Sequence, residues 1–219
     1  MDLDRINKIS IFPTLAHETR LAIARRSYIQ DYPAYHTLLI EGVSTESAYF
    51  LLSGEARALR MNAEGRVQIL ARFKAGDPIN IVSLFNQEKI NRGTIETLSP
   101  VRVLILPAAD FHILVTRYPD FSIFLLNHLA ERLSKMTDLA AGLSLYAVRA
   151  RLARFLIELA DLSPSSTGWT QDEIAAHIGT VRDVVGRLLR DFEAAGLIKR
   201  QRGKIIILDR EKITKFAQE

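Results

Sequence analysis

The chain has 219 residues, 48% of them hydrophobic and 25% charged, enough for one large or two small globular domains with a real core. It contains no cysteine, which excludes disulfides, thiol redox switching, cysteine-ligated iron–sulfur clusters and zinc fingers. The net charge of +4 is mild, but residues 144–219 hold 13 Lys and Arg against 10 Asp and Glu, so the clustering matters more than the total. The start, Met1-Asp2-Leu3-Asp4-Arg5, lacks the charged-then-apolar pattern of a secretion signal, and no apolar run reaches membrane-spanning length. A cytoplasmic location with no membrane partner is the expectation.

Residues 3–30 read as short helices, with Ile6, Ile9, Phe12, Leu21, Ala22 and Ile23 as apolar positions. From about 34 to 107, short apolar runs are broken by turn residues. His36–Ile40 ends at Glu41-Gly42, Ala48–Leu52 at Ser53-Gly54, Glu55–Met61 at Asn62-Ala63-Glu64-Gly65, and Val67–Phe73 at Ala75-Gly76-Asp77-Pro78. Thr94–Leu98 and Val101–Leu106 follow. Strands at this spacing with glycine turns indicate an antiparallel barrel or double-layered roll.

From Asp120 the pattern is helical. Leu126, Leu129, Leu133, Met136, Ala140 and Leu143 alternate by three and four residues, a heptad seam suited to pairing with a second copy of the helix. The alternative is an ordinary core helix, which would need a broader apolar face. Ser144 is a candidate cap for a further helix, Tyr146–Ala160, placing a hinge at 142–145; Asp161–Gly168 is a Ser/Pro/Gly loop. The expected divisions are a sensor over 1–118, a dimerisation helix over 119–143 and a DNA-binding part over 144–219.

That last part carries the most specific signal. Thr170-Gln171-Asp172-Glu173 is a capping box, followed by Ile174, Ala175 and Ile178 on one face and Gly179 as the stop. Thr180 opens a second helix with Val181, Val184, Val185, Leu188, Leu189 and Phe192 as its apolar stripe. Two short helices around a glycine turn form a helix-turn-helix, whose second helix reads the major groove through its N-terminal residues. Leu197-Ile198, the run Lys199-Arg200-Gln201-Arg202-Gly203-Lys204, and Ile205–Ile207 then read as a β-hairpin wing with a cationic tip. The candidate DNA contacts are Thr170, Thr180, Val181, Arg182, Asp183, Arg187, Lys199, Arg200, Arg202 and Lys204. Solvated charge is the plain alternative for the arginines, and capping for Asp183; the adjacent basic wing favours DNA, because phosphate contacts are wanted there.

In its order of roll, long helix and winged helix-turn-helix, the chain resembles the cyclic-AMP receptor protein and Fnr superfamily of bacterial regulators along nearly its whole length. The roll signature stands as Tyr49-Phe50-Leu51-Leu52-Ser53-Gly54-Glu55-Ala56-Arg57, Gly65–Leu70 and Gly76-Asp77, and the recognition pattern as Arg182-Asp183-Val184-Val185-Gly186-Arg187. The resemblance implies an α+β fold, a homodimer on palindromic double-stranded DNA, and RNA polymerase as a partner if the protein activates. It also implies guanine contacts for Arg182 and Arg187, and a cytosine contact at Asp183, where aspartate is a methylene shorter than the family's glutamate. In cyclic-AMP-binding members a Gly-Glu-Leu segment supplies a carboxylate to the ribose, and an Arg-Ser or Arg-Thr pair holds the phosphate. Here these stand as Asn80-Ile81-Val82 and Arg92-Gly93-Thr94, with Thr137-Asp138 at the base-contacting place on the long helix. Losing the ribose acceptor costs ~1–3 kcal/mol, roughly tenfold to a hundredfold in affinity, which argues against cyclic AMP. Arg92 is consistent with another anionic effector, a different nucleotide or an organic acid, and equally with a solvated arginine.

Some members of the superfamily sense gases through haem, but His17, His36, His112, His128 and His177 do not pair at a metal-ligand spacing. A β-roll metalloenzyme would need clustered His and Glu ligands from neighbouring strands, and the sequence has no His-x-His and no catalytic constellation. The expectation is a transcriptional regulator, with no catalytic residue, controlled by an unidentified small effector. A constitutive DNA-binding dimer is the rival within the same fold.

Overall fold

The computed structural model describes residues 12, 14–44, 46–161, 169–201 and 204–218. Ile6, Ile9, Arg202 and the loop residues 162–168 lie outside them. The chain divides into two compact units, Met1–Arg60 with Leu70–Lys135, and Met61–Ile69 with Met136–Glu219.

Among the described residues the chain opens with helix α1 (His17–Arg26), followed by strands β1 (Tyr28–Tyr32), β2 (Thr37–Leu39), β3 (Ser47–Ser53), β4 (Ala56–Met61), β5 (Val67–Phe73) and β6 (Pro78–Ile79). A short helix α2 (Ile81–Phe85) precedes β7 (Thr94–Thr97) and β8 (Val101–Pro107), and helix α3 (Ala108–Arg117) leads into the long helix α4 (Pro119–Leu145). The strands form two four-stranded sheets, ordered β1-β8-β3-β6 and β2-β7-β4-β5. The apolar run Val103–Leu106 of β8 follows from its place between two cores, because successive side chains leave a strand on opposite faces. Val103 and Ile105 join Leu51, Ala56, Ala58, Phe73, Ile79 and Ile95 on one face; Leu104 and Leu106 join Phe50, Phe111, Leu114, Phe121 and Leu125 on the other. The turn at Gly54 has φ +84°, and a Cβ there would run into the Pro100 carbonyl, so glycine is required.

The helical reading of residues 3–30 is corrected at its end. Helix α1 stops at Arg26; Ser27 is extended, its hydroxyl donating to the Ile23 carbonyl at 2.8 Å. Tyr28–Tyr32 is a strand, paired antiparallel with β8 from Tyr28↔Ile105 to Tyr32↔Val101. A second correction concerns Ser144. It lies inside α4, which continues to Leu145, and the Tyr146 amide still donates to the Gly142 carbonyl at 3.3 Å. The break is at Tyr146-Ala147.

The second unit holds α5 (Val148–Asp161), α6 (Gln171–Ile178), α7 (Arg182–Ala194), β9 (Ile198–Gln201), β10 (Lys204–Ile207) and α8 (Arg210–Phe216). Leu152, Phe155 and Leu156 of α5 share one core with Ile174 and Ile178 of α6, Val185, Leu189 and Phe192 of α7, Leu197 and Ile198, and Ile213 of α8. Burying each large side chain contributes roughly 1.5–3 kcal/mol over leaving it exposed. At the break after α4, the Arg154 guanidinium lies 3.4 Å from the centroid of the Tyr146 ring, and its Nε donates to the Ala217 carbonyl at 2.6 Å.

Candidate nucleic-acid interface and effector site

Helix α6 starts on the capping box read in the sequence. The Thr170 hydroxyl accepts from the Glu173 amide at 3.2 Å, and the Thr170 amide donates to the Glu173 carboxylate at 3.0 Å. The helix ends at Gly179, whose φ of +69° is left-handed, with the Gly179 and Thr180 amides both turned back to the Ala175 carbonyl. Thr180 therefore belongs to the end of α6, and α7 starts at Arg182 with Val181 as a cap that makes no side-chain bond. Val181 is exposed and leaves the buried stripe, which runs Val185, Leu189 and Phe192. Gly186 is buried, and a Cβ there would meet Gln171 Oε1 at 3.0 Å, so the two helices approach closely at this point.

Arg182, Asp183 and Arg187 all lie exposed on α7, and Arg190 continues that basic face one turn on. Arg182 Nη1 bonds Asp172 Oδ2 of α6 at 3.2 Å. Sequence reasoning passed over Arg190 and Asp172; their signal was the three-residue step from Arg187 and the ten-residue reach across the glycine turn. Asp183 makes no cap for Thr180, since it stands in the first turn of a helix capped by Val181.

The wing strands pair Lys204↔Gln201 and Lys199↔Ile206, leaving Lys199 and Lys204 exposed. Arg200 is differently placed. Its Nε donates to Glu193 Oε2 at 2.7 Å and its amide to Glu193 Oε1 at 2.9 Å, clasping the wing to the last turn of α7. That amide bond, with the side-chain bond second, holds the Glu193 carboxyl below its usual range, so the clasp weakens as pH falls through the depressed value.

In the roll, Asn80 takes φ +66°, a left-handed conformation that asparagine tolerates where most side chains do not. Ile81 is 4% exposed, inside the core with Phe50, Leu84, Leu104 and Phe111, while Val82 is exposed. Arg92 is exposed and bonded to Glu88 at 2.7 Å. A Cβ on Gly93 would stand 3.1 Å from the Leu59 carbonyl, so a serine or threonine there would require the backbone to give. The Thr94 hydroxyl accepts from the Glu41 amide at 3.2 Å. Thr137 and Asp138 are exposed on α4 and belong to the second unit. The histidines are taken up in ring contacts: His36 on Tyr32, immediately before β2 rather than on a strand, His112 against Phe85 and Phe111, His128 on Phe124, and His177 between Phe155 and Trp169. His17 opens α1.

Residues 150–216 match the Crp-like helix-turn-helix domain, and residues 29–118 match the cyclic nucleotide-binding domain, in the order the two units present them. The chain belongs to the cyclic-AMP receptor protein and Fnr superfamily. It is 28% identical over 188 residues to the cAMP-activated global transcriptional regulator CRP of Pasteurella multocida, spanning 83% of this chain and 90% of that protein. Among solved structures, a CRP/FNR-family transcriptional regulator from Thermus thermophilus superposes with a TM-score of 0.71 at 25% identity, covering 88% of this chain and 99% of that one. The c-di-GMP responsive global regulator CLP of Xanthomonas campestris gives 0.79 at 20% identity over 88% and 99%. As a member of this superfamily the chain is a DNA-binding transcriptional regulator and not an enzyme. Among the described residues, no helix is long and apolar enough to cross a membrane.

Proposed function

We propose that this regulator acts in the cytoplasm as a homodimer on a two-fold palindromic duplex, under control of a small effector other than cyclic AMP. The observation that carries the DNA-reading part is the exposed Arg182–Asp183–Arg187 face of α7, beside a wing that presents Lys199 and Lys204. Arg182 and Arg187 read base edges, Asp183 accepts from a base amine, and Thr170, Thr180 and Val181 border the same surface. The wing lysines neutralise phosphates, a role the sequence also gives Arg202, with little sequence content. Arg200 acts indirectly, by holding the wing.

Pairing is supported by the outward face of α4, where Leu126 is 62% and Leu133 69% exposed and Ala140 and Leu143 continue the exposed line. Leu129 packs partly against the roll core and Met136 is half-buried, so the seam runs chiefly through Leu126, Leu133, Ala140 and Leu143. Sedimentation at micromolar concentration should give a dimer; a monomer would remove the seam. The reading against cyclic AMP rests on Ile81 in the core and on glycine at 93, where a Cβ would stand 3.1 Å from the Leu59 carbonyl. Relatives differ in effector, the Pasteurella protein being cAMP-activated and the Xanthomonas one c-di-GMP responsive. The effector shifts how the two long helices pack, so that the recognition helices match or miss grooves ~34–36 Å apart. RNA polymerase is the further partner if the bound protein activates.

Fluorescence anisotropy on a labelled palindromic duplex of the family type, with and without cyclic AMP and against a scrambled control, tests the whole reading. Specific binding that ignores cyclic AMP is expected, and tightening by the nucleotide would overturn the effector argument. Arg182→Ala should cost ~1–3 kcal/mol and relax preference at one base pair. Lys204→Ala should weaken all duplexes alike and flatten the salt dependence by about one unit of slope.

A further inference from the structure

We propose that Asp172 is a positioning residue for Arg182 and thereby sets how sharply the protein discriminates at the base pair that Arg182 reads. The inference rests on the base-reading assignment of Arg182 above. Asp172 lies in the first turn of α6, and its Oδ2 accepts from Arg182 Nη1 at 3.2 Å, across the Gly179 turn. Both side chains are about two-thirds exposed, so the pair adds little to stability and its value lies elsewhere.

The first helix of a helix-turn-helix crosses the phosphate backbone when the second enters the groove. A carboxylate at its start therefore faces phosphates, which weakens binding to any duplex. Its location beside the helix N-terminus favours an acid through the macrodipole, but Glu173 already supplies one and closes the capping box. What Asp172 supplies that Glu173 does not is a bond to the base-reading arginine.

The bond engages one terminal nitrogen of the guanidinium and leaves the Nε–Nη2 edge for a bidentate bond to O6 and N7 of guanine. An unrestrained arginine must lose much of its rotamer freedom to make that fork. Holding the guanidinium beforehand lowers this cost for the matching base. For the wrong base the restraint works in the opposite direction, because a tethered guanidinium cannot swing away to find a phosphate instead. Asp172 thus trades general affinity for selectivity.

The test uses the full chain and a duplex that the wild type enriches from a randomised two-fold symmetric library, together with single-base variants of it and a random duplex. Asp172→Ala is expected to tighten binding to the random duplex by a few-fold while lowering discrimination at the Arg182 base pair by about two- to fivefold. Asp172→Asn, which keeps an acceptor oxygen without the charge, should fall between. In an Arg182→Ala background the Asp172→Ala effect on discrimination should vanish, leaving only the general gain. If Asp172→Ala tightens every duplex equally, the carboxylate is no more than a repulsive surface charge and the proposal is wrong. A change in discrimination that persists without Arg182 overturns it too. Equal losses on specific and random duplexes for Arg182→Ala alone would instead remove the base-reading assignment, and the proposal with it.

Discussion

Restoring the family's ribose-binding carboxylate by Ile81→Glu is expected to destabilise the roll rather than recover cyclic-AMP binding. Sequence comparison alone recommends the exchange, since isoleucine stands where a glutamate would accept from the ribose. The structure places that side chain in a core with Phe50, Leu84, Leu104 and Phe111, 4% exposed. An unpaired carboxylate there costs about 3–5 kcal/mol, and for a chain of this size each kcal/mol moves the unfolding midpoint by ~2–4 °C. A fall in Tm of roughly 10 °C or more should follow. Burial raises the pKa of the introduced carboxyl, so its penalty is complete only above that raised value, where the folded chain must also hold the charge. The penalty should shrink as pH falls towards ~4 and the proton returns. Thermal unfolding at pH 5 and pH 8, with calorimetric titration of cyclic AMP, checks both statements. A stable variant that binds the nucleotide would show that Ile81 lines a ligand pocket.

Phe192→Ala should weaken DNA binding by destabilising the second unit while leaving the first unit as it is. Phe192 is fully buried, sharing its core with Leu152, Leu189, Leu197 and Ile213, its ring 5.8 Å from Phe216 and covered by the Arg149 guanidinium at 5.5 Å. Truncating such a ring costs about 3–5 kcal/mol in lost transfer energy and residual cavity. None of these partners belongs to the first unit. Calorimetry should therefore show one transition moved down by ~10 °C or more and the other unchanged. A variant that melts as the wild type does and holds its operator would show that the α7 core is not what supports the reading helix.

Much of this architecture could be read from the residues because local signals and tertiary packing agree. Val67–Phe73 is a strand with the bounds its apolar run suggested, and the Thr170–Glu173 box caps the helix it announced. Elsewhere, long-range pairing overruled local pattern. Tyr28–Tyr32 carries an amide and a charge side by side at Gln30 and Asp31 and follows a helix, so its strand character comes from β8, 69 to 77 residues away. Ser144 has the chemistry of a cap, but α4 continues past it to Leu145. Of the candidate interface, Arg182, Asp183 and Arg187 were visible as a motif, whereas the engagement of Arg200 by Glu193 was not. Nothing in a run of basic residues tells which one faces back towards the protein.

That clasp has a consequence for how DNA shape is felt. Glu193 sits in the last turn of α7 and takes both the amide and the guanidinium of Arg200, so the hairpin is fastened to the far end of the helix whose near end is proposed to meet the bases. Hairpin and helix then behave as the two prongs of one caliper, with a fixed gap. A duplex whose backbone is too wide or too narrow for that gap tilts the whole tool, and a misfit at the phosphates becomes a misfit at base pairs that the hairpin never touches.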